Sequence, residues 1–128
     1  MTLELWMLLG SALLLFVLVT LQAMQSALIL GFTYPSSNRE EPRPVQGAIG
    51  RIDRAVDNLR ENILLFTPVV LVLAIIGVST DLSKLGAILF LAARIVHAVT
   101  YILGIIYVRS LAWMVGIFGM GMMLSALL

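Results

Sequence analysis

Two arginines and one histidine lie within or directly beside segments that are otherwise apolar. Arg94, His97 and Tyr101 are spaced i, i+3 and i+7 inside one apolar run, and Arg109 with Ser110 follows that run. An ionised side chain at the centre of a bilayer costs roughly 3 kcal/mol on insertion scales. Residues that a chain keeps at such a cost are candidates for function.

A second polar stripe leads into another apolar run. Arg54, Asn58 and Glu61 are spaced i, i+4 and i+7, which places them on one face of a helix. If this face and the face of Arg94 and His97 both point inward, they form a pocket rich in cations and hydrogen-bond donors. Arginine offers a rigid fork of donors that suits carboxylates. The pattern therefore indicates an anionic ligand.

Each of these residues also has a structural explanation. Glu61 could neutralise Arg94 or Arg54, and Asn58 could form a hydrogen bond between helices. A purely structural bundle does not need three arginines near one membrane face, so the set as a whole favours a ligand. His97 has no second His, Asp or Cys at metal-ligand spacing, and no metal site is expected.

The composition is typical of an integral membrane protein. Of 128 residues, 61% are hydrophobic and 12% charged, and the mean hydropathy is +1.07. A hydrocarbon core of about 30 Å needs roughly 20 helical residues to cross it, and four stretches of the chain are long enough. We predict a single all-α membrane domain, a four-transmembrane-helix bundle over residues 1–128. Its helices are expected at about 3–32, 48–78, 82–107 and 109–128.

Several classes of site and partner are excluded by the sequence. The chain has no cysteine, which excludes disulfides, thiolate metal sites and cysteine nucleophiles. It has no basic run that could bind nucleic acid, so no nucleic-acid partner is expected. The first apolar segment lacks a preceding Lys or Arg and is too long for a signal peptide, so we expect a retained helix.

The basic residues predict an orientation in the membrane. Most lie between the first and second helices, one lies between the third and fourth, and the opposite side has only Lys84. By the positive-inside rule the arginine-rich loop is cytoplasmic and both termini are outside. Short loops favour a bacterial inner membrane. The loop arginines are Arg39, Arg43, Arg51, Arg54 and Arg109.

Small residues on the fourth predicted helix indicate close helix packing. Ala112, Gly116 and Gly119 share a face, and such residues let the backbones of neighbouring helices approach. We interpret these glycines as packing residues rather than as part of a ligand site. Trp6 and Trp113 are interpreted as anchors at the membrane interface or as packing residues.

The stripe on the second helix resembles a known signature. The run RAVDNLREN from Arg54 to Asn62, followed by Phe66 and Pro68, is similar to the R-A-x-x-N-x-x-E signature of the MAPEG proteins. These are the membrane-associated proteins in eicosanoid and glutathione metabolism. The similarity covers most of the chain from Gly47 to Trp113.

The stripe on the third helix adds to this resemblance. Arg94, His97 and Tyr101 resemble the R-x-x-H-x-x-x-Y element of the microsomal prostaglandin E synthase branch, and Arg109-Ser110 resembles its R-S element. The resemblance implies a homotrimer of four-helix subunits in membrane lipid. It also implies glutathione as co-substrate, bound between neighbouring subunits near the cytoplasmic face.

The resemblance assigns a role to each polar residue. Arg54 would hold a carboxylate of glutathione, and the Glu61 carboxylate would suit the ammonium of the γ-glutamyl group. Arg109 matches the arginine beside the thiol, and Ser110 matches a hydroxyl that assists it. The residues predicted to bind glutathione are Arg54, Asn58, Glu61, Arg94, His97 and Tyr101, and those predicted to be catalytic are Arg109 and Ser110.

Two features depart from the family pattern. Several members carry an arginine near the inner end of the first helix, where this chain has Ala27, Leu28 and Ile29. That change removes one expected partner for a glutathione carboxylate. Tyr101 and Arg109 are also separated by one residue fewer than in the prostaglandin synthase pattern.

We compare three functions with the sequence. The first is a glutathione-dependent transferase or peroxidase of a membrane, serving detoxification, that acts on a hydrophobic electrophile or a lipid hydroperoxide. The second is a non-catalytic member of the same family that binds a lipid or an anionic metabolite. The third, a proton-coupled drug exporter, needs an acid embedded in the first helix, whereas Glu4 lies at its end.

Overall fold

Four long helices account for most of the chain. The computed structural model describes residues 1–40, 42 and 46–128. Its helices are α1 (Leu3–Leu30), α2 (Gly47–Ile76), α3 (Asp81–Leu103) and α4 (Ile106–Ser125), and a single 3-10 turn covers Tyr34–Ser36. Each helix is long and apolar enough to cross a membrane. The predicted all-α membrane bundle is confirmed, while Arg43 lies outside the described residues.

The turn between α3 and α4 lies earlier than predicted. Gly104 adopts the left-handed conformation (φ 80°) and donates its backbone N–H to the carbonyls of Thr100 and Tyr101, which ends α3 at Leu103 rather than at residue 107. The next helix then begins at Ile106 instead of residue 109. Arg109 and Ser110 therefore lie within α4. The sequence had led us to expect them in the connecting turn.

The other boundaries differ from the expected ones by a few residues. The first helix ends at Leu30, two residues early, because Gly31 leaves helical geometry at φ 94°. The second covers Gly47–Ile76 against the expected 48–78. The fourth stops at Ser125, three residues short of the chain end. None of these shifts changes the number or order of the helices.

A buried carboxylate ties α1 to the turn between α2 and α3. Glu4 is 1% exposed, and both of its oxygens accept a hydrogen bond from the Ser79 hydroxyl at 3.1 Å. The Ser83 hydroxyl donates to the same carboxylate at 2.5 Å. Thr80 and Ser83 form the capping box that begins α3. Glu4 is thus stabilised at a helix N-terminus, which favours a negative charge.

Two apolar clusters fill the bundle, and a polar layer lies between them. Along α2 and α3 the layer consists of Asn62, Arg94 and His97, all at most 5% exposed. On one side of it Phe66 and Phe90 stack with ring centroids 3.9 Å apart. The first cluster contains Phe66, Val70, Leu73, Ala87, Phe90, Met120 and Met123. The second contains Leu18, Ile52, Val56, Leu59 and Ala98.

The helices α3 and α4 pack most extensively on each other. Gly86 and Gly119 face each other where these helices cross, and a Cβ atom on either glycine would collide with the carbonyl oxygen of the other. Close backbone approach of this kind is how small residues stabilise helix contacts in a membrane. The packing role predicted for Gly119 therefore agrees with its position.

We expect Gly86→Ala to destabilise the bundle. The added methyl group has no space, and overpacking costs typically about 1–3 kcal/mol. Gly121→Ala is the matched control on α4, since a Cβ there meets no atom within 4 Å. The control should be neutral or slightly stabilising because alanine favours the helix. Thermal unfolding in detergent, followed by circular dichroism, measures both changes. Equal midpoints for the two variants would contradict the packing described.

Candidate functional site

Polar side chains from α2, α3 and α4 line one open cavity. Its volume is about 420 Å³, within the range of roughly 300–1,000 Å³ that is typical of small-molecule sites. The cavity lies towards the end of the bundle at which α3 finishes and α4 begins. Its lining residues are Asn58, His97, Tyr101, Arg109, Ser110, Trp113 and Met114. Five of the eight predicted site residues are therefore brought together here.

Arg109 is held at this cavity by an aromatic ring. Its guanidinium carbon lies 4.4 Å from the centroid of Tyr101, in the geometry of a cation–π contact. Tyr101 in turn lies 5.4 Å from His97, measured between ring centroids. Among the described residues no carboxylate forms an ion pair with Arg109. A half-buried cation without an acidic partner is available to an anionic ligand.

The start of α4 is fixed by a second arginine. Arg51 on α2 donates from Nε to the carbonyl of Ile102 at 2.9 Å, in the last turn of α3. A cation is favourable at a helix C-terminus because the last carbonyls carry partial negative charge. This bond joins α2 to the turn that precedes Ile106. It therefore sets where Arg109 stands relative to Asn58.

Arg94 lies behind the cavity wall rather than in it. Its side chain is 1% exposed, and its Nη2 donates to the backbone carbonyls of Trp113 at 3.1 Å and Ala112 at 3.4 Å. A third, longer contact of 3.5 Å joins its Nη1 to Oδ1 of Asn58. Gly116 makes room for the guanidinium, since a Cβ there would overlap it. The predicted contact between Arg94 and glutathione stays a prediction. The observed hydrogen bonds of Arg94 connect α3 to α2 and α4.

The stripe on α2 is not turned wholly inward. Asn58 faces the cavity, but Arg54 and Glu61 are exposed on the surface of the chain and do not line it. The apolar residues Ile52, Val56, Leu59 and Phe66 are buried and decide the rotation of α2. Within a single chain these two charged residues do not face the cavity, and their predicted contacts with glutathione stay predictions.

Three residues of this region were not predicted as part of it. Trp113 and Met114 line the cavity, whereas the sequence indicated only an anchoring or packing role for Trp113. Asn62 is buried and bonds to Asn58 four residues earlier. The i+4 spacing from Asn58 was the available signal for it. No comparable signal pointed to Met114, because methionine is a common core residue.

A second cavity of similar size lies in the segment after α1. Its volume is about 400 Å³, and it is formed mainly by exposed loop residues around Arg39. It lacks the buried polar side chains that back the first cavity. We therefore assign the chemistry to the cavity at Asn58 and Arg109. The lining residues of the second are Leu30, Thr33, Tyr34, Ser37, Asn38, Arg39 and Glu40.

Comparison with known proteins identifies one relationship. The family model of the MAPEG family matches residues 3–128, which is essentially the whole chain. None of the curated proteins and none of the solved structures that were compared matches it.

Proposed function

The chain belongs to the MAPEG family of multi-pass membrane proteins in eicosanoid and glutathione metabolism, and we propose that it is a glutathione-dependent transferase or peroxidase. The observation that carries this proposal is the half-buried, unpaired cation of Arg109 at a cavity rich in hydrogen-bond donors. Such a site suits a small anionic molecule with a thiol that must ionise.

The proposed chemistry begins with the thiol of glutathione. A free cysteine thiol has a pKa of about 8.5, and a nearby cation lowers it and raises the fraction of reactive thiolate. Arginine stays charged at physiological pH, so it supplies this effect without itself titrating. The thiol proton passes to solvent. The sulfur lone pair then forms a C–S bond with an electrophilic carbon, whose leaving group departs with the displaced electrons.

The peroxidase reaction uses the same thiolate. The sulfur attacks the terminal oxygen of a hydroperoxide, an S–O bond forms as the O–O bond breaks, and the released alkoxide takes a proton to give an alcohol. A second glutathione then reduces the sulfenic acid of the first to the disulfide and water. Trp113 and Met114 give the cavity an apolar wall against which a hydrophobic substrate from the bilayer packs. Binding in this position brings the two reactants together.

Ser110 is proposed to assist the thiolate. It lies beside Arg109 in the cavity lining, and its hydroxyl donates to the carbonyl of Ile106 at 3.2 Å. A serine hydroxyl has one proton and rotates about its C–O bond, so it can leave this carbonyl and donate elsewhere instead. In the proposed complex it donates to the sulfur, while Tyr101 and His97 line the same pocket.

Exposed charges on α2 support assembly of several copies. The contact between Asn58 and Arg94 places these two residues at a similar depth in the bundle. Arg94 is nine residues, or about 14 Å, from the end of α3 at Leu103. Glu61 is nearly one turn deeper than Asn58 and is exposed on the isolated chain. A carboxylate facing lipid at such a depth costs several kcal/mol. We therefore propose a homotrimer in which a neighbouring copy covers Glu61 and Arg54, with glutathione at the interface.

In this assembly Arg54 and Glu61 complete the binding site. Arg54 would hold a carboxylate of glutathione, and Glu61 would accept from the ammonium of the γ-glutamyl group. Orientation with this end of the bundle in the cytoplasm, in a bacterial inner membrane, would give the site access to cellular glutathione. That placement rests on the distribution of basic residues.

One observation favours a second candidate, a non-catalytic protein of the same family. The end of α1 carries Ala27, Leu28 and Ile29, of which Leu28 and Ile29 are 72% and 58% exposed. These apolar side chains provide no donor for a glutathione carboxylate. A protein that only binds a lipid or an anionic metabolite has less need of that donor.

We expect Arg109→Ala to reduce thiolate formation strongly. An adjacent arginine typically shifts the pKa of an acid by about 1–3 units, so the thiolate fraction should fall roughly tenfold or more. Stopped-flow ultraviolet absorbance after mixing the purified protein with glutathione measures this signal. Lys84→Ala is the control, because Lys84 is at the opposite end of α3, paired with Asp81. An unchanged signal in Arg109→Ala would contradict the assignment, and wild-type binding without thiolate would favour the non-catalytic candidate.

The proposed assembly has its own test. Native mass spectrometry of detergent-purified protein should give three copies, a mass of about three times 14.0 kDa. Glutathione should bind to the trimer and not to a single chain, because the proposed site needs Arg54 and Glu61 at an interface with a neighbouring copy. Glutathione bound to isolated chains would show that one copy is sufficient for the site.

A further inference from the structure

We propose that Asn62 is a positioning residue that turns the side-chain amide of Asn58 so that its N–H groups face the cavity. The proposal rests on the function proposed above and specifies how that site recognises an anionic ligand. It concerns a residue that does not line the cavity, since Asn62 is only 4% exposed. Its side chain can therefore act on a ligand only through Asn58.

Two contacts fix the side chain of Asn62. Its Nδ2 donates to the backbone carbonyl oxygen of Asn58 at 2.8 Å, and the same nitrogen lies 3.3 Å from Oδ1 of Asn58. A backbone carbonyl oxygen only accepts hydrogen bonds, so the atom of Asn62 that faces it must be nitrogen. The orientation of the Asn62 amide is thereby determined by its partner.

The amide of Asn58 is then determined in the same way. Its Oδ1 receives Nδ2 of Asn62 and, at 3.5 Å, Nη1 of Arg94. A guanidinium has donors and no acceptor, so both neighbours require an oxygen at this position. The Nδ2 group of Asn58 is left on the other side. Asn58 lines the cavity, and the described residues give this nitrogen no acceptor.

This orientation matters for the charge of the ligand. Two N–H groups of Asn58 join the guanidinium of Arg109 as donors around one cavity, and the hydroxyl of Ser110 can turn from the carbonyl of Ile106 to add another. An inverted amide would instead present a carbonyl oxygen to a carboxylate or peptide oxygen of the ligand, and two acceptors repel each other. Asn62 thus selects an oxygen-rich ligand by fixing which end of Asn58 that ligand meets.

Asn62→Asp tests the proposal with almost no change in volume. Aspartate has no donor when ionised, so its oxygens repel the Oδ1 atom of Asn58 and attract its Nδ2. Asn62 and Arg94 both contact Oδ1 of Asn58, so the guanidinium lies near the new carboxylate. The amide of Asn58 should turn its nitrogen towards position 62 and its oxygen towards the cavity, with loss of the long contact of 3.5 Å between its Oδ1 and Nη1 of Arg94. Hydrogen bonds to charged groups are strong, so the Kd for glutathione should rise roughly tenfold to hundredfold.

A double-mutant cycle separates positioning from a merely structural effect. Calorimetry would measure the Kd for glutathione in wild type, Asn62→Asp, Asn58→Ala and the double variant, and turnover would give kcat and KM. Asn62→Asp should raise KM while leaving kcat at saturating glutathione nearly unchanged, because Arg109 is untouched. In the Asn58→Ala background it should have no further effect on the Kd, since the amide through which it acts is gone.

The possible outcomes distinguish the proposed function from the positioning role of Asn62. Wild-type protein that does not bind glutathione overturns the proposed function. Wild-type binding with an unchanged Kd in Asn62→Asp, or an equal loss with and without Asn58, overturns the positioning role and leaves the proposed function intact. If Asn62→Asp does not fold, Asn62→Ala takes its place in the cycle. It removes one of the two donors to Oδ1 and should raise the Kd by a smaller factor, again only when Asn58 is present.

Discussion

The buried guanidinium of Arg94 is the interaction on which the rest of the bundle depends. It lies in the membrane-spanning core without a carboxylate partner among the described residues, and such a charge is costly unless hydrogen bonds satisfy it. Its bonds to the carbonyls of Ala112 and Trp113 and its contact with Asn58 connect three helices. The positions of α2 and α4 relative to α3 are therefore set by where this one side chain can be satisfied.

The cavity is a consequence of this arrangement. The apolar clusters on either side of the polar layer fix the rotation of α2, and Arg51 fixes the turn before α4. Asn58 and Arg109 consequently face the same space from different helices. The two arginines have separate roles. Nη1 and Nη2 of Arg94 donate within the bundle, and its buried Nε has no partner among the described residues. Arg109 has no ion-pair partner there and lies beside Tyr101. Donors without acceptors are what an anionic ligand requires.

The sequence predicted some of this with good physical reason. A helix of apolar residues leaves Arg94, His97 and Tyr101 few places other than the interior, so their shared face could be recognised from spacing alone. The rotation of α2 could not be recognised from spacing, because its polar residues and its buried apolar residues both recur at helical spacing. In the structure the apolar residues are buried, and Arg54 and Glu61 lie on the surface of the chain. The early end of α3 depended on the left-handed conformation of Gly104. The burial of Asn62 depended on the same rotation of α2.

The central claim is that Arg109, at a cavity of oriented donors, binds glutathione as the thiolate. Proton release on binding tests it most directly, by calorimetry of the purified wild-type protein at pH 7 in buffers with different ionisation enthalpies. Only a few per cent of a free thiol is ionised at pH 7, so binding should release close to one proton per glutathione. S-methylglutathione, which has no thiol proton, should release none. Equal proton release for the two ligands would contradict the account.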